Sequence, residues 1–372
     1  MRLLYFSPVF VRSYAQRPHF MVRAWLEHGV KEVLWVDPYP ARLPRWQDLR
    51  RRKAEFDQGT TLDPRVQALH VPALPIEPLP GGPWLNRRVF AAGAWRRIEQ
   101  FAAGEHLVVG IGRPGALAHA ALRELQPRTS FFDAMDDFPE FHQGISRRSI
   151  RYYEDSVARE AQVIFASSSF LAEKFARQGL RVEKAFNACD VSALPLGPPL
   201  HQREFILGYV GCLGAWFDWP LVVRLAEQVP DARVELIGPC AVPAPAALPP
   251  NIHLGRPCNH SEVAALLGRF RVGLVPFRHT PLTAGVDPIK FYEYRAAGLP
   301  VLSTRFGEMA SRGPAEGVYA LDAAEDLAAT VQRALEHVDA PAAIDRFRQE
   351  NDWQRRWEIV RRIALGTAIG GK

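Results

Sequence analysis

Short apolar runs rich in Val, Ile, Leu and Phe alternate with segments of helical periodicity, and the series runs twice along the chain. Residues 3–6, 33–36, 107–109, 129–132 and 163–166 read as buried strands, with helical segments at 19–27, 116–125 and 170–178 between several of them. The pattern restarts at 206–210, 234–237, 272–275 and 301–303, with helices expected at 221–228, 262–268 and 290–297. Strands that stay apolar along their length and are separated by helices belong to parallel sheets covered on both faces. At 372 residues the chain exceeds what one core usually organises, so the two series make two α/β domains. The Pro/Gly-rich stretch 194–200 reads as the linker, which sets the domains at 1–198 and 199–350. Two Rossmann-like domains joined there would face one another across a cleft, with ligands at the carboxyl ends of their strands.

Charge is unevenly placed. Up to position 200 the chain carries 27 Lys and Arg against 21 Asp and Glu, and beyond it 19 of each, so the whole excess of +6 lies in the first half. Arg42, Arg45, Arg50, Arg51, Arg52 and Lys53 form one basic cluster, and Arg87, Arg88, Arg96 and Arg97 another. Such an excess suits an anionic partner as well as it suits a solvated face. No recognised nucleic-acid fingerprint accompanies it, so nucleic acid is not expected as a partner. The first residues read as a strand rather than a signal peptide, and no apolar run approaches the ~18 residues of a membrane span. The 4 cysteines are scattered without a C-x-x-C pair, which suits reduced thiols and a cytoplasmic setting. The 11 histidines show no metal-ligand spacing, so no metal is assigned.

Gly110-Ile111-Gly112-Arg113-Pro114-Gly115 matches the dinucleotide fingerprint G-x-G-x-x-G, and Asp133 follows as an acid at the end of the next strand. Its place in the middle of the domain, and the stiff Arg113-Pro114 pair in the turn, count against a nicotinamide site.

The stronger signal runs from Asp287 through Pro288, Lys290, Tyr292 and Glu293 to Gly298 and Val301. Pro288 can open a helix, and Lys290 and Glu293, three apart, share one face near its amino end. That end favours an anion, so Lys290 would neutralise a diphosphate and Glu293 would accept hydrogen bonds from ribose hydroxyls. Gly208, Gly211 and Gly214 punctuate a strand-to-helix turn where backbone amides can approach an anionic group. Gly211, Gly214, Asp287, Lys290, Tyr292 and Glu293 are therefore the expected donor site. Asp133, Asp136 and Asp137 cluster after strand 129–132, where a carboxylate can take a proton from an acceptor hydroxyl or cap a helix. Asp136 and Asp137 are the candidate catalytic residues. Arg17 and Arg113, each before a proline, are candidate anion or acceptor ligands. The stretch from Trp84 to Phe101 sets Leu85, Val89, Ala92, Trp95, Ile98 and Ala102 at helical spacing between arginines. Such a helix can lie on an anionic membrane surface or pack on its own domain.

The 287–301 stretch resembles the P-x-K-x-x-E-Y-x-A-x-G-x-P-V signature of GT-B glycosyltransferases. It lies near the family-4 type and a bacterial exopolysaccharide and teichuronic-acid group. Gln16-Arg17-Pro18, the segment from Phe132 to Phe138, and the loop from Gly208 to Trp219 are similar to that group's Q-R-P-x, Y-D-x-x-D-D-F and G-Y-x-G-x-x-x-x-W-F-D segments. Glu154 followed by Ala166-Ser167-Ser168 fits its E-x(n)-A-x-S stretch. The resemblance implies a cytoplasmic or peripheral, metal-independent transferase. It would take a nucleotide diphosphate sugar, UDP as the commonest, as co-substrate and a saccharide or lipid-linked acceptor, with no other cofactor. It also implies that a final helix, 351–372 with Trp353 and Trp357, returns to the first domain. One departure stands out: the second family-4 glutamate, eight residues before Glu293, is replaced by Gly285. Asp136 matches a position where family-4 enzymes often carry histidine. A nucleotide-sugar epimerase on the same fold, or a non-catalytic nucleotide-sugar or polysaccharide-binding module, are the alternatives.

Overall fold

The computed structural model describes residues 1–44, 63–104, 106–322 and 324–364. Arg45, Arg50, Arg51, Arg52 and Lys53 of the first basic cluster lie outside them. The chain divides into two units, Met1–Ala185 with the chain from Trp357 onward, and Phe186–Arg356.

The first unit holds β1 (Arg2–Phe6), β2 (Glu32–Val36), β3 (Val66–Leu69), β4 (Leu107–Ile111), β5 (Thr129–Ala134), β6 (Val163–Ala166) and β7 (Val182–Lys184). They form one sheet in the order β3-β2-β1-β4-β5-β6-β7, every neighbouring pair parallel. The order reverses direction between β1 and β4, the switch point where ligands of such sheets bind. β4, β5 and β6 are buried at every position, as their unbroken apolar runs require.

The second unit holds β8 (Ile206–Val210), β9 (Arg233–Ile237), β10 (Ile252–Gly255), β11 (Val272–Val275), β12 (Val301–Ser303) and β13 (Val318–Ala320). These too are parallel, in the order β10-β9-β8-β11-β12-β13, with the reversal between β8 and β11. Its core gathers Leu207, Tyr209, Leu236, Leu274, Tyr294 and Val331 among others, separately from the first unit's cluster around Leu4, Val109, Ile111 and Phe132.

The units part at other places than the linker composition indicates. Residues 186–198 go with the second unit, because Cys189 and Leu194 are buried in its core. Asn187 is held there too, its amide donating to the Asp287 carboxylate at 2.7 Å. Residues 351–356 also stay with the second unit, where Asn351 accepts from the Cys189 amide at 3.1 Å and Trp353 donates to Cys189 O at 3.1 Å. The return to the first unit begins at Trp357. Its ring meets Phe165 edge-on at 5.9 Å and lies under the Arg17 guanidinium at 4.7 Å. Helix Glu358–Ala364 then packs against helix Arg17–Glu27.

The expected helix from Trp84 to Phe101 is broken. Helix Gly82–Leu85 runs into a π-helical turn, Asn86–Phe90, and helix Ala92–Ala102 follows after Ala91. Ala94, Trp95, Ile98 and Phe101 are buried in the first unit, whereas Leu85 and Val89 face out, so the single apolar stripe becomes two rows with different fates. Among the described residues no helix is long and apolar enough to cross a membrane.

Candidate active site

Lys290 and Glu293 lie on helix Ile289–Ala296, which begins after Pro288 and ends at Gly298, whose φ of 74° only glycine adopts freely. Leu299 and Pro300 then lead straight into β12. Both side chains are half-buried, and neither has a hydrogen bond or ion pair among the described residues. Burial pulls the Lys290 ammonium below its usual pKa, while Glu293 and Cys212 push it back up. The ammonium sits 5.3 Å from the Tyr209 ring centre and against Gly211. A Cβ on Gly211 would lie 2.5 Å from the Lys290 Nζ, and φ is 149° there, so only glycine leaves the lysine its place.

Two amides of the glycine loop are already used inside the second unit. The Gly211 amide donates to Ile237 O at 2.8 Å and the Leu213 amide to Pro239 O at 2.9 Å, so both are spent within the unit. Gly214 makes room for the Trp216 ring, which a Cβ would meet at 2.6 Å. Asp218 caps helix Trp219–Gln228 through the Leu221 amide.

Asp287 and Tyr292 are buried and bound to the chain itself. The Asp287 carboxylate accepts from the Asn187 amide at 2.7 Å, from the Tyr292 hydroxyl at 2.8 Å and from Arg312 at 2.8 Å. Arg312, which no sequence pattern singles out, also stacks over the Phe291 ring at 3.8 Å. These groups fix the start of the helix that carries Lys290 and Glu293.

In the first unit the three aspartates after β5 separate by their partners. Asp133 is fully buried and paired with Arg17 at 2.6 Å, and Arg17 also donates to Ala185 O at 2.6 Å. Arg17 is only 1% exposed, so its guanidinium braces the core and is not turned to solvent to receive an anion. Asp137 is paired with Lys174 at 2.9 Å, and Lys174 also holds the buried Glu154, whose carboxyl burial pushes up to about 7. Asp136 has no hydrogen bond or ion pair among the described residues. Desolvation raises it to about 7, Arg17 working against the rise and Asp133 and Asp137 adding to it.

Arg113 is half-buried at the switch point of the first sheet and donates to Tyr39 O at 2.9 Å. Ser7, Asp37, Tyr39 and Pro114 join it around an open recess at the strand ends. Glu77, missed in the sequence because nothing about its proline-rich setting marks it, is buried behind Tyr39 and accepts from the Ala116 amide at 3.2 Å. Burial raises its carboxyl to about 7. The glycines of the dinucleotide fingerprint serve packing: Gly110 abuts the Phe131 ring, Gly112 the Tyr5 hydroxyl and Gly115 the Tyr39 hydroxyl. The Gly112 and Arg113 amides both donate to Phe6 O, at 2.8 and 3.0 Å. Among the described residues no three His, Cys, Asp or Glu side chains gather as a metal centre.

No protein-family model matches the chain. Over 111 residues it is 29% identical to the Bacillus subtilis protein named for teichuronic acid biosynthesis, glycosyltransferase TuaH. That match spans 28% of this chain and 28% of the relative. Solved structures match throughout. Sucrose-phosphate synthase from Thermosynechococcus elongatus superposes with a TM-score of 0.64 at 14% identity, over 99% of this chain and 98% of that one. A UDP-forming α,α-trehalose-phosphate synthase from Burkholderia xenovorans, solved with glucose-6-phosphate, gives 0.62 at 15% identity over 98% and 100%. The fold is the GT-B arrangement of two Rossmann-like domains.

Proposed function

We propose that this chain is a glycosyltransferase that passes a sugar from a nucleotide diphosphate to a saccharide or lipid-linked acceptor of bacterial surface polysaccharide. The observation that carries the reading is the pair Lys290 and Glu293. Two half-buried, opposite charges that have no hydrogen-bond partner among the described residues lie one turn apart at the amino end of a helix, a setting that costs stability unless a ligand uses it. The name of the Bacillus relative supports the saccharide class, and the UDP-forming neighbour supports UDP as the nucleotide.

Lys290 meets the diphosphate charge, Glu293 accepts from the ribose hydroxyls, and the network of Asp287, Tyr292 and Arg312 holds their helix in place. The acceptor hydroxyl loses its proton to Asp136 as its oxygen attacks the anomeric carbon. The bond from that carbon to the diphosphate oxygen breaks, and its electron pair leaves with the nucleotide. Charge build-up on the leaving group is met by Lys290 and the helix end, so the reaction needs no divalent cation. With Gly285 where family 4 carries a glutamate, and a base on the acceptor's side, the anomeric configuration inverts.

Calorimetric titration of UDP in excess EDTA tests the donor half. Wild-type protein binds, and Lys290→Ala and Glu293→Ala each weaken binding by about ten- to a hundredfold, the loss of a charged hydrogen bond. Binding that appears only with added magnesium, or that both variants leave unchanged, overturns the assignment.

A further inference from the structure

Six large apolar side chains face solvent within residues 74–90: Leu74, Leu79, Trp84, Leu85, Val89 and Phe90. Trp84 is 65% and Val89 56% exposed, in a segment that is otherwise firmly built. Asn86, itself buried, accepts from the Leu74 amide at 2.9 Å and donates to Leu74 O at 2.8 Å. Gly82 lies so close to Ile76 O that a side chain there would collide with it. Trp84, Leu85, Arg88 and Val89 share one side of the turn, with Asn86 and Ala91 on the other facing the core. The exposure is thus held in place by the fold.

Helix Gly144–Glu160 of the same unit also exposes Ile145 and Tyr152, the latter 60% exposed, beside the exposed Arg148 and Arg151. The two parts meet over helix Ala116–Glu124. Tyr152 packs at 6.4 Å against His119 of that helix, and Glu124 at its far end pairs with Arg87 of the π-helical turn. Five residues of helix separate these contacts by about 7.5 Å. Arg87 is also stacked on Trp95 at 4.2 Å and serves as an anchor. Arg88, Arg96 and Arg148 remain exposed around the apolar side chains, and Arg151, also exposed, shares Glu140 at 3.5 Å. Of the nearby acids, Glu124 is taken by Arg87, Glu99 accepts from Trp95 at 2.8 Å, Glu140 pairs with Arg147 and Arg151, and Glu77 is buried, while Asp155 and the exposed Glu160 near His119 lie on the border of the face.

We infer that the first unit docks on an anionic bilayer surface through this face. Aromatic and aliphatic side chains enter the headgroup boundary while arginines meet lipid phosphates. A second copy of the chain fits it poorly, because a two-fold contact would press two arginine-rich patches of the same sign together. Resting on the proposed transferase activity, the same placement selects a lipid-borne acceptor. Leu79 follows two residues after Glu77, which lies behind Tyr39 at the recess on the carboxyl edge of the first sheet, so the bilayer face begins beside that recess.

The test is flotation with vesicles of phosphatidylcholine alone or mixed equally with phosphatidylglycerol, without donor or acceptor, at about 0.05 M and about 0.5 M salt. Wild-type protein should float with the anionic vesicles at low salt and largely lose them at high salt. W84S/V89S and R88E/R96E, all exposed positions, should keep the wild-type circular dichroism and bind at least about tenfold more weakly. Absence of binding to anionic vesicles, or binding unchanged in both variants, overturns the inference. So does a dimer in sedimentation velocity that W84S/V89S dissolves. Docking without any sugar transfer would sink the transferase reading and leave this one standing, whereas transfer to a soluble acceptor without docking does the reverse.

Discussion

Asp136 and Asp137 are neighbours of the same type, and their chemistry is set by residues distant in the chain. The aspartate cluster is visible in the sequence because three acids follow one strand. Which of them is free is not visible, since the decisive partners are Arg17, 116 positions from Asp133, and Lys174, 37 positions from Asp137. Arg17 likewise looks like a ligand in the sequence, because an arginine in a loop before a helix carries no mark of the buried carboxylate waiting for it. With Asp136 raised to about 7, a base at this position is protonated in acid and works once ionised. Turnover should therefore rise with pH up to about 7 and then level off. Asp136→Asn should lower it by about 10²–10⁴-fold while UDP affinity is kept. Single-turnover rates across pH, with product anomers read by NMR, check this. A variant of near-normal rate, or one that keeps the wild-type pH step, would rule Asp136 out as the base.

The strands foreseen in the sequence are the inner ones of both sheets, and the four that were not, β3, β7, β10 and β13, are the edge strands. Inner strands are buried on both faces and so read as continuous apolar runs, whereas Val-Glu-Lys or Ile-His-Leu-Gly shows water one side and leaves no period to detect. The break at Ala91 was hidden for a related reason, because helical spacing continues through a π-helical turn with only a small change of phase. Helix Ala116–Glu124 shows how an element can depend on a remote acid. Gly115 at its start offers no side-chain cap, and Glu77 and the Tyr39 hydroxyl accept from the Ala116 and Leu117 amides instead. Glu77 is raised from 4.5 to about 7 by burial, so its favourable contribution is complete below its unfolded value and is lost as pH rises through about 7. Glu77→Gln keeps an acceptor without the charge. Its melting temperature relative to wild type should climb between pH 4.5 and 7.5, by the equivalent of about 3 kcal/mol. A difference that stays constant with pH would show that Glu77 ionises in the fold as freely as in water.

At the scale of the whole chain, the order of residues and the membership of the cores part company. The proline-rich stretch 194–200 looks like a boundary because prolines and glycine resist regular structure, yet Leu194 is already core and the chain changes units near Ala185. Contacts of buried side chains with their own sheet decide the matter, and composition does not report them. Trp357 belongs to the first unit, 1% exposed, between Phe165 and Arg17. Trp357→Ala should cost that unit about 3–5 kcal/mol. Hydrogen exchange should show protection lost in β1, β5 and β6 while β8 and β11 keep theirs. Equal loss in both sheets would mean that one cooperative block melts together. The late position of Trp357 also has a consequence for synthesis. The ribosome completes every residue of Phe186–Arg356 before the last piece of the earlier sheet's covering emerges. At ~5–20 residues per second that delay is roughly ten to thirty seconds. Throughout it the Arg17 and Asp133 pair lacks its indole cover, so the part of the chain made first is the part finished last, and a nascent chain stalled in that interval offers chaperones an open first sheet beside a closed second one.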